Sequence, residues 1–301
     1  MKTRAPASRF GAAAVVAAVL AAAGVGCSSA PPLGARWESV ETKTMPSPVH
    51  VLVIVPPSYD RDPARRYPVL YFLHDGYGDG RTLARRGVAA DALARMRAGS
   101  LPEFLIVAPD GSGSWFADSY DGKHRFGEFL VEDLPRWTES HYRTLARKGS
   151  RGITGISMGG YGAIRLALTH PELYGSVSAL SGAIIPFGQE DLKRYSWVAR
   201  FTLMRVFGRD PEKNSFEAND AWQILGRSQF DSPPFTARLE AGTEDPYGLD
   251  GVASQYGNLL NEHGVPTSIL LEPGGHDWSY WRPAMEEILD WHAARFEYDA
   301  R

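Results

Sequence analysis

A serine between two glycines is the residue of this sequence with the clearest chemical use. Ser157 lies in the run Gly-Ile-Ser-Met-Gly at residues 155–159, between an apolar run and a segment with helical spacing. In a strand-turn-helix setting this G-x-S-x-G pattern is typical of a nucleophile elbow, because larger residues in place of the glycines would collide with strand and helix. The turn exposes the hydroxyl to a base and aims the Met158 N–H at a developing oxyanion. In a chain with 31 glycines, the pattern alone also fits an ordinary glycine-rich turn.

Two further residues complete a triad in the sequence. A serine hydroxyl is a weak nucleophile near neutral pH unless a histidine accepts its proton and a carboxylate orients that histidine. Asp245 and His276 follow Ser157 in the order Ser, Asp, His, and each stands in a loop after a predicted strand. Because loops at the carboxyl ends of parallel strands open on one side of a sheet, we expect the three side chains to meet there.

Eight histidines compete for the role of base. Only His74 and His276 follow predicted core strands in glycine-rich loops, and His74 precedes the serine, against the expected chain order. The others fall in or near helices, in one strand or in one loop: His50, His124, His141, His170, His263 and His292. We therefore predict His276 as the base.

The acid is less sharply defined than the base. Asp245 is the favoured residue, and its neighbour Glu244 is the alternative, because sequence patterns do not resolve a one-residue shift within a loop. Asp250 and Asp277 also stand nearby, but Asp277 adjoins the proposed base and would point elsewhere.

Two backbone N–H groups are expected to flank the oxyanion. Met158 supplies one from the elbow, and the loop after an earlier strand supplies the second. That loop begins at His74, and within it we favour the Tyr77 N–H, with Gly76 as its neighbour. His74 and Gly76 are accordingly predicted to line the substrate cleft.

The elements that must position these residues alternate regularly along the chain. Apolar runs bounded by glycine and proline alternate with stretches of helical spacing, which predicts a mostly parallel sheet covered by helices on both faces, an α/β fold. The first two strands fit an antiparallel edge. Strands are predicted at 37–44, 50–57, 67–73, 103–109, up to 154, 175–181, 235–241 and 267–271, and helices at 82–97, 126–142, 161–168, 251–263 and 282–296.

Residues 187–234 interrupt this alternation. Trp197, Val198, Phe201, Met204 and Phe207 recur there at roughly helical spacing. An insertion after the carboxyl end of a strand can act as a cap over the ligand crevice. The alternative is that these apolar residues only pack on the body of the domain.

The N-terminal residues have the pattern of an export signal. Residues 1–26 combine a basic start with an Ala/Val/Leu/Gly run that is short for a permanent membrane helix. Cys27, the only cysteine, follows in a run that resembles a bacterial lipobox and is predicted to carry a lipid, with simple secretion or a soluble periplasmic location as the alternative. Residues 27–35 would be a tether and 36–298 a single domain.

Charge and composition limit the classes of partner and cofactor that we expect. Removal of residues 1–26 takes away three basic and no acidic residues, which moves the formal charge from −3 to −6. A mildly acidic chain without a basic tract argues against nucleic acid as a partner. The single cysteine and the lack of an H-x-x-x-H pair predict no metal site, and no dinucleotide or phosphate loop is visible, so we expect no cofactor.

The chain resembles the branch of the α/β-hydrolases that holds esterase D, S-formylglutathione hydrolase, feruloyl esterases, enterochelin esterases and the antigen 85 mycolyltransferases. The resemblance runs from about residue 37 to residue 296 and is carried by Glu-Asp-Leu-Pro at 132–135, the run 155–163, Pro-Glu-Leu-Tyr-Gly at 171–175, Ala-Leu-Ser-Gly-Ala at 179–183, Gly-Thr-Glu-Asp at 242–245, and Gly-Gly-His-Asp-Trp at 274–278 with Trp281.

This resemblance implies one α/β-hydrolase domain without a cofactor. It implies Ser157, Asp245 and His276 as nucleophile, acid and base, Tyr77 and Met158 as oxyanion donors, and Trp115 and Phe116 as residues that shape the substrate cleft. The long stretch 187–234 departs from the family pattern, so the substrate does not carry over.

Three functions follow from these patterns. The leading expectation is an exported serine esterase acting on small-molecule, carbohydrate or lipid esters, with contact to a membrane only through the lipid anchor. An acyltransferase that passes the acyl group to a sugar hydroxyl would use the same triad. A non-catalytic surface binding module on a hydrolase scaffold is the third, and the presence of all three triad residues argues against it.

Overall fold

A computed structural model of the chain describes residues 34–187, 197–210 and 213–299. The predicted export signal at 1–26 and the predicted lipid attachment at Cys27 lie outside the described residues.

Within the described residues, eight strands form one sheet in the order β1-β2-β4-β3-β5-β6-β7-β8. The first strand pairs antiparallel with the second, as predicted for the edge. The second strand also pairs antiparallel with the fourth, which was not predicted, and the remaining pairs are parallel. The fold is therefore the predicted mostly parallel α/β sheet. The strands are β1 (Ala35–Val40), β2 (Val49–Ile54), β3 (Val69–Leu73), β4 (Leu105–Pro109), β5 (Arg151–Ile156), β6 (Ser176–Leu180), β7 (Thr236–Gly242) and β8 (Thr267–Glu272).

Helices are found at all five predicted positions, with different bounds: the predicted helix 161–168 begins at Met158, and the predicted helix 126–142 contains a π-helical turn. The short helices at Phe216–Asn219 and Ala221–Arg227 were not predicted. The predicted helix 82–97 is divided at Gly87, whose φ of 82° interrupts helical geometry. The last helix begins at Trp278 rather than near residue 282, because the Asp277 side chain accepts the Ser279 N–H and caps it. The helices are α1 (Thr82–Arg85), α2 (Val88–Ala98), α3 (Phe126–Glu128), α4 (Leu134–His141), α5 (Met158–Thr169), α6 (Trp197–Phe207), α7 (Phe216–Asn219), α8 (Ala221–Arg227), α9 (Leu249–Glu262) and α10 (Trp278–Ala293), with a π-helical turn at Phe129–Asp133.

The sheet separates two apolar layers. Along β3, Val69, Tyr71 and Leu73 pack into the layer shared with α5 and α9, whereas Leu70 and Phe72 pack into the layer shared with α2 and α10. Burial of each such side chain contributes about 1.5–3 kcal/mol, so both faces of the central strands are fixed by packing. Among the described residues, none of the helices has the length and apolar character needed to cross a bilayer.

The described part of the 187–234 stretch rests on the body of the domain. In α6, Leu203 and Phe207 are buried, and the Phe207 ring lies 5.2 Å from Phe187 and 5.5 Å from Phe216. The Tyr120 N–H donates to the Val206 carbonyl at 2.8 Å. These contacts fit the alternative in which the apolar residues of this stretch only pack on the body of the domain. A role as a cap over the ligand crevice stays a prediction.

Parallel pairing decides where functional side chains can gather. Strands β3 to β8 run in one direction, so the loops that follow β3, β4, β5, β7 and β8 open at the same edge of the sheet. We call this edge the carboxyl rim. His74, Asp110, Ser157, Thr243 and Pro273 are the residues that directly follow these five strands.

Candidate active site

Ser157 occupies a strained turn between β5 and α5. Its φ of 53° and ψ of −112° lie in a region that non-glycine residues rarely adopt. Such a conformation costs of order 1–3 kcal/mol and persists only where its surroundings enforce it. Here the Ser157 N–H donates to the Leu180 carbonyl at 2.9 Å, and its own carbonyl accepts the Ala183 N–H at 2.9 Å. The neighbouring strand β6 and the loop after it therefore hold the serine in place.

The two glycines of the elbow are required by close backbone contacts. A Cβ at Gly155 would lie 2.2 Å from the carbonyl carbon of Gly159. A Cβ at Gly159 would lie 2.1 Å from the carbonyl oxygen of Leu73 in β3. Because both neighbours are backbone atoms, no side-chain rotation can relieve either clash. The spacing of the motif is thus explained by the packing of α5 against β5 and β3.

The structure brings the three predicted triad residues into contact. His276 Nε2 lies 3.0 Å from Ser157 Oγ, and His276 Nδ1 lies 2.7 Å from Asp245 Oδ2. The Asp245 side chain is fully buried, and the His276 side chain is 12% exposed. The carboxylate at Nδ1 favours the tautomer with the proton on Nδ1, which leaves Nε2 free to accept the serine proton.

The neighbouring Glu244 is not part of this contact. Glu244 is exposed, and its backbone N–H donates to the Gly274 carbonyl at 2.9 Å. The second carboxylate oxygen of Asp245 instead accepts the Tyr247 N–H at 2.9 Å. Both oxygens of Asp245 therefore have a donor, which fixes the plane of the carboxylate against the imidazole.

Two aromatic rings flank the His276 imidazole. Tyr247 lies 4.9 Å and Trp281 lies 4.8 Å from it between ring centroids, each nearly perpendicular to it. Trp281 is itself held by a hydrogen bond of 3.0 Å from its Nε1–H to Ser181 Oγ. Sequence reasoning did not assign Tyr247 or Ser181 to the site. The position of Tyr247 two residues after the acid is the signal that was available.

The oxyanion side differs from the prediction at one donor. Met158 is the first residue of α5, so its N–H belongs to the group that has no acceptor within the helix. The Tyr77 N–H, however, donates to Asp75 Oδ1 at 2.9 Å. The cause is local, because an aspartate side chain readily accepts the N–H two residues further on. In this conformation Tyr77 is therefore not a free oxyanion donor, and the prediction is corrected to that extent.

His74 does not line the cleft, contrary to the prediction. It is fully buried, with Nδ1 lying 2.7 Å from the Asp75 carbonyl and Nε2 accepting the Gly111 N–H at 2.9 Å. Burial lowers the pKa of His74, which keeps the ring neutral and able to accept. His74 thus joins the loops after β3 and β4. Gly76, by contrast, is exposed at the rim, and no atom lies within 4 Å of a Cβ placed there.

The two aromatic residues predicted to line the cleft differ in burial. Phe116 is fully buried, and its ring packs 5.2 Å from His74, so it supports the loop rather than facing substrate. Trp115 stays half-buried and meets Tyr161 and Phe187 edge to face at 5.6 and 6.4 Å. Both residues have positive φ, 54° for Trp115 and 53° for Phe116, which turns their neighbouring side chains to different surroundings. Sequence patterns carry no signal for that reversal.

No metal-binding group is found in the parts of the chain that the structure describes, where no three His, Cys, Asp or Glu side chains are placed to hold an ion. The chemistry available from the described side chains is that of a nucleophile, a base and an orienting carboxylate.

Comparison of the sequence with known proteins identifies a family and several relatives. A family model described as "Putative esterase" matches residues 42–292. An uncharacterized protein of Corynebacterium glutamicum is 26% identical over 251 residues, which cover 80% of this chain and 56% of that protein. An acetyl esterase of Caldicellulosiruptor saccharolyticus is 25% identical over 191 residues, which cover 62% of this chain and 70% of the esterase.

Among solved structures, a ferulic acid esterase superposes with a TM-score of 0.72 at 24% identity, covering 87% of this chain and 98% of that one. At this identity the similarity concerns the fold. The chain spans little more than half the length of the Corynebacterium relative.

Proposed function

The chain belongs to this esterase family, a membership that supports carboxylic-ester hydrolysis, and we propose that it acts as an exported serine esterase through an acyl-enzyme on Ser157. The observation that carries the proposal is the continuous contact from Ser157 Oγ through the His276 imidazole to the Asp245 carboxylate. This contact joins a nucleophile, its base and an orienting acid, the three groups that the reaction needs.

In the first half of the reaction, Ser157 Oγ attacks the ester carbonyl carbon while His276 Nε2 takes the hydroxyl proton. The buried Asp245 carboxylate stabilises the imidazolium that forms. The tetrahedral intermediate then collapses, the bond to the alcohol oxygen breaks, and His276 gives its proton to that oxygen. The alcohol leaves and the acyl group remains as an ester of Ser157.

In the second half, water replaces the alcohol. His276 accepts a proton from water as the water oxygen attacks the acyl carbon, and then returns the proton to Ser157 Oγ, which releases the carboxylic acid. Negative charge on the carbonyl oxygen is stabilised by the Met158 N–H at the start of α5. The second donor comes from the loop after β3, where the exposed Gly76 backbone lies.

The proposed location is outside the cytosol, on the basis of the signal pattern of residues 1–26 and the lipobox-like run at Cys27. The names of the relatives, an acetyl esterase and a ferulic acid esterase, favour esters of small or phenolic acids as substrates. A Cys27→Ser protein that stayed membrane-bound after processing would count against the anchor.

The test is covalent labelling combined with turnover. A fluorophosphonate should label the wild-type protein and leave Ser157→Ala unlabelled, and wild type alone should release free acid from acetyl and feruloyl esters. Equal labelling of both proteins would show that another residue reacts. Addition of sugar acceptors separates the transferase alternative, because a transferase would form more sugar ester than free acid.

A further inference from the structure

The carboxyl rim carries the same short turn twice. Asp75-Gly76-Tyr77 follows β3 and Asp245-Pro246-Tyr247 follows β7, and in each the aspartate Oδ1 accepts the tyrosine N–H at 2.9 Å. In each turn the tyrosine side chain extends into solvent, with 96% of Tyr77 and 66% of Tyr247 exposed. A single exposed aromatic side chain is common on protein surfaces, so the feature of interest is the repetition of the turn at the rim that holds the candidate nucleophile.

The two turns lie on opposite sides of the candidate nucleophile. The sheet order β3-β5-β6-β7 places the strand of Ser157 between the strand of Tyr77 and that of Tyr247. At about 4.8 Å between neighbouring strands, the two turns are about 14 Å apart along the rim.

Proton transfer identifies which half of the ester reaches these side chains. His276 must hand its proton to the oxygen of the departing alcohol, so that oxygen comes within hydrogen-bonding reach of Nε2. The Tyr247 ring lies 4.9 Å from the imidazole. Tyr247 therefore stands beside the position of the departing alcohol, and Tyr77 stands at the same rim on the other side of the strand that carries Ser157.

On the basis of the proposed esterase function, we propose that Tyr77 and Tyr247 form a two-sided subsite for a ring-shaped alcohol portion of the substrate. Phenol rings offer a flat apolar face and a hydroxyl, which together suit a sugar ring or an aryl ring. A small linear alcohol would reach the triad without filling the gap. The pair would thus determine the alcohol specificity and not the acyl specificity.

The experiment compares three acetate esters of primary alcohols: ethyl acetate, benzyl acetate and methyl 6-O-acetyl-glucopyranoside. The acyl group and the class of leaving group are matched, so each ring ester is referred to the ethyl ester of the same enzyme. We expect Tyr77→Ala and Tyr247→Ala to lower the ratio of kcat/KM, ring ester over ethyl ester, about tenfold, mainly through KM. Tyr77→Phe and Tyr247→Phe keep the ring and should retain the ratio within about twofold.

The outcomes separate the alternatives. Loss of preference for the benzyl ester alone assigns the subsite to aryl alcohols, and loss for the glucoside alone assigns it to sugars. A ratio that stays at the wild-type value in both alanine variants overturns the subsite even if every protein hydrolyses ethyl acetate. Absence of labelling and turnover in wild type would instead overturn the esterase function. Leucine variants repeat the test if an alanine variant unfolds.

Discussion

Two histidines of this chain each meet a serine hydroxyl through Nε2, and we assign a catalytic role to only one. His276 lies 3.0 Å from Ser157 Oγ, and His292, near the C-terminal end of α10, lies 2.9 Å from Ser178 Oγ. The other ring nitrogen meets the Asp245 carboxylate in His276 but the Ser176 hydroxyl, at 2.7 Å, in His292.

The direction of the hydrogen bond distinguishes the pairs. Ser178 donates its proton to Thr154 Oγ1 at 2.7 Å, so its oxygen accepts from His292 Nε2–H. His276 Nε2, with the Nδ1 proton directed at Asp245, accepts from Ser157. Burial lowers the pKa of His292 to about 3, and its two ring nitrogens meet serine hydroxyls rather than a carboxylate. A short serine–histidine distance is therefore not enough to identify a nucleophile. A carboxylate at the other ring nitrogen, a serine that donates to the histidine, and access to solvent are also needed.

The largest expected effect comes from breaking the catalytic pair. Ser157→Ala and His276→Ala should each lower kcat/KM for a simple ester by about 10⁴–10⁶-fold, since nucleophile and base act as one unit. The matched control is Ser178→Ala, which removes the serine from the buried pair. It should lose stability, about 1–3 kcal/mol, but keep most of its activity. Comparable activity loss in Ser178→Ala would contradict the comparison.

Removal of the carboxylate charge sharpens the same contrast. Asp245→Asn should lower kcat by about 10³–10⁴-fold. An uncharged amide accepts the Nδ1 proton of His276 less well than a carboxylate does, so the histidine tautomer that can accept the serine proton is no longer favoured. Glu244→Gln is the control and should stay near wild-type activity, since its side chain is exposed and outside the triad. If Glu244→Gln proved the more damaging change in steady-state kinetics, the acid would have to be reassigned.

The elbow packing can be tested through stability. Gly159→Ala should destabilise the fold by about 3 kcal/mol or more, because the new methyl would overlap the Leu73 carbonyl. Gly226→Ala in α8 is the control, since no atom lies within 4 Å of a Cβ placed there. It should be neutral or up to about 1 kcal/mol stabilising. Urea denaturation of the two variants would measure both effects, and equal stability would refute the packing argument.

The buried histidine predicts a smaller, pH-dependent effect. The pKa of His292 is lowered from 6.5 to about 3, so the folded state binds its proton less well than the unfolded chain. Its contribution is fully present above pH 6.5 and is lost as the pH falls toward 3, by about 2 kcal/mol at pH 5. His74, whose pKa is also lowered, adds to the loss.

His292→Gln keeps hydrogen-bonding groups but removes the titration. Unfolding free energies at pH 7.5 and pH 5 should therefore differ less in this variant than in wild type. An unchanged difference would mean that His292 does not titrate on unfolding.

Much of the fold and the order of the site residues could be predicted because both depend on local patterns. Apolar runs placed the central strands to within about two residues, and the chain order Ser157, Asp245, His276 placed each residue at the end of a strand. The start of α10 was missed because the helix begins at the Asp277 cap, next to the proposed base, four residues before the predicted start.

What could not be predicted is the direction of side chains within a loop. His74 and Phe116 turn inward, since buried neighbours at Gly111 offer a hydrogen-bond donor and room for a ring, and such neighbours come from distant parts of the chain. The pairing of the Tyr77 N–H was readable in principle, because an aspartate stands two residues before it.

The positive φ of Ser157 sets folding and turnover in opposition. Glycine is the residue that adopts this backbone conformation without strain, so replacement of the serine by glycine would relieve the turn while removing the hydroxyl. Selection for a sturdier fold alone would favour that exchange. Serine at this position therefore lowers the stability of the fold but retains the hydroxyl that the proposed reaction requires.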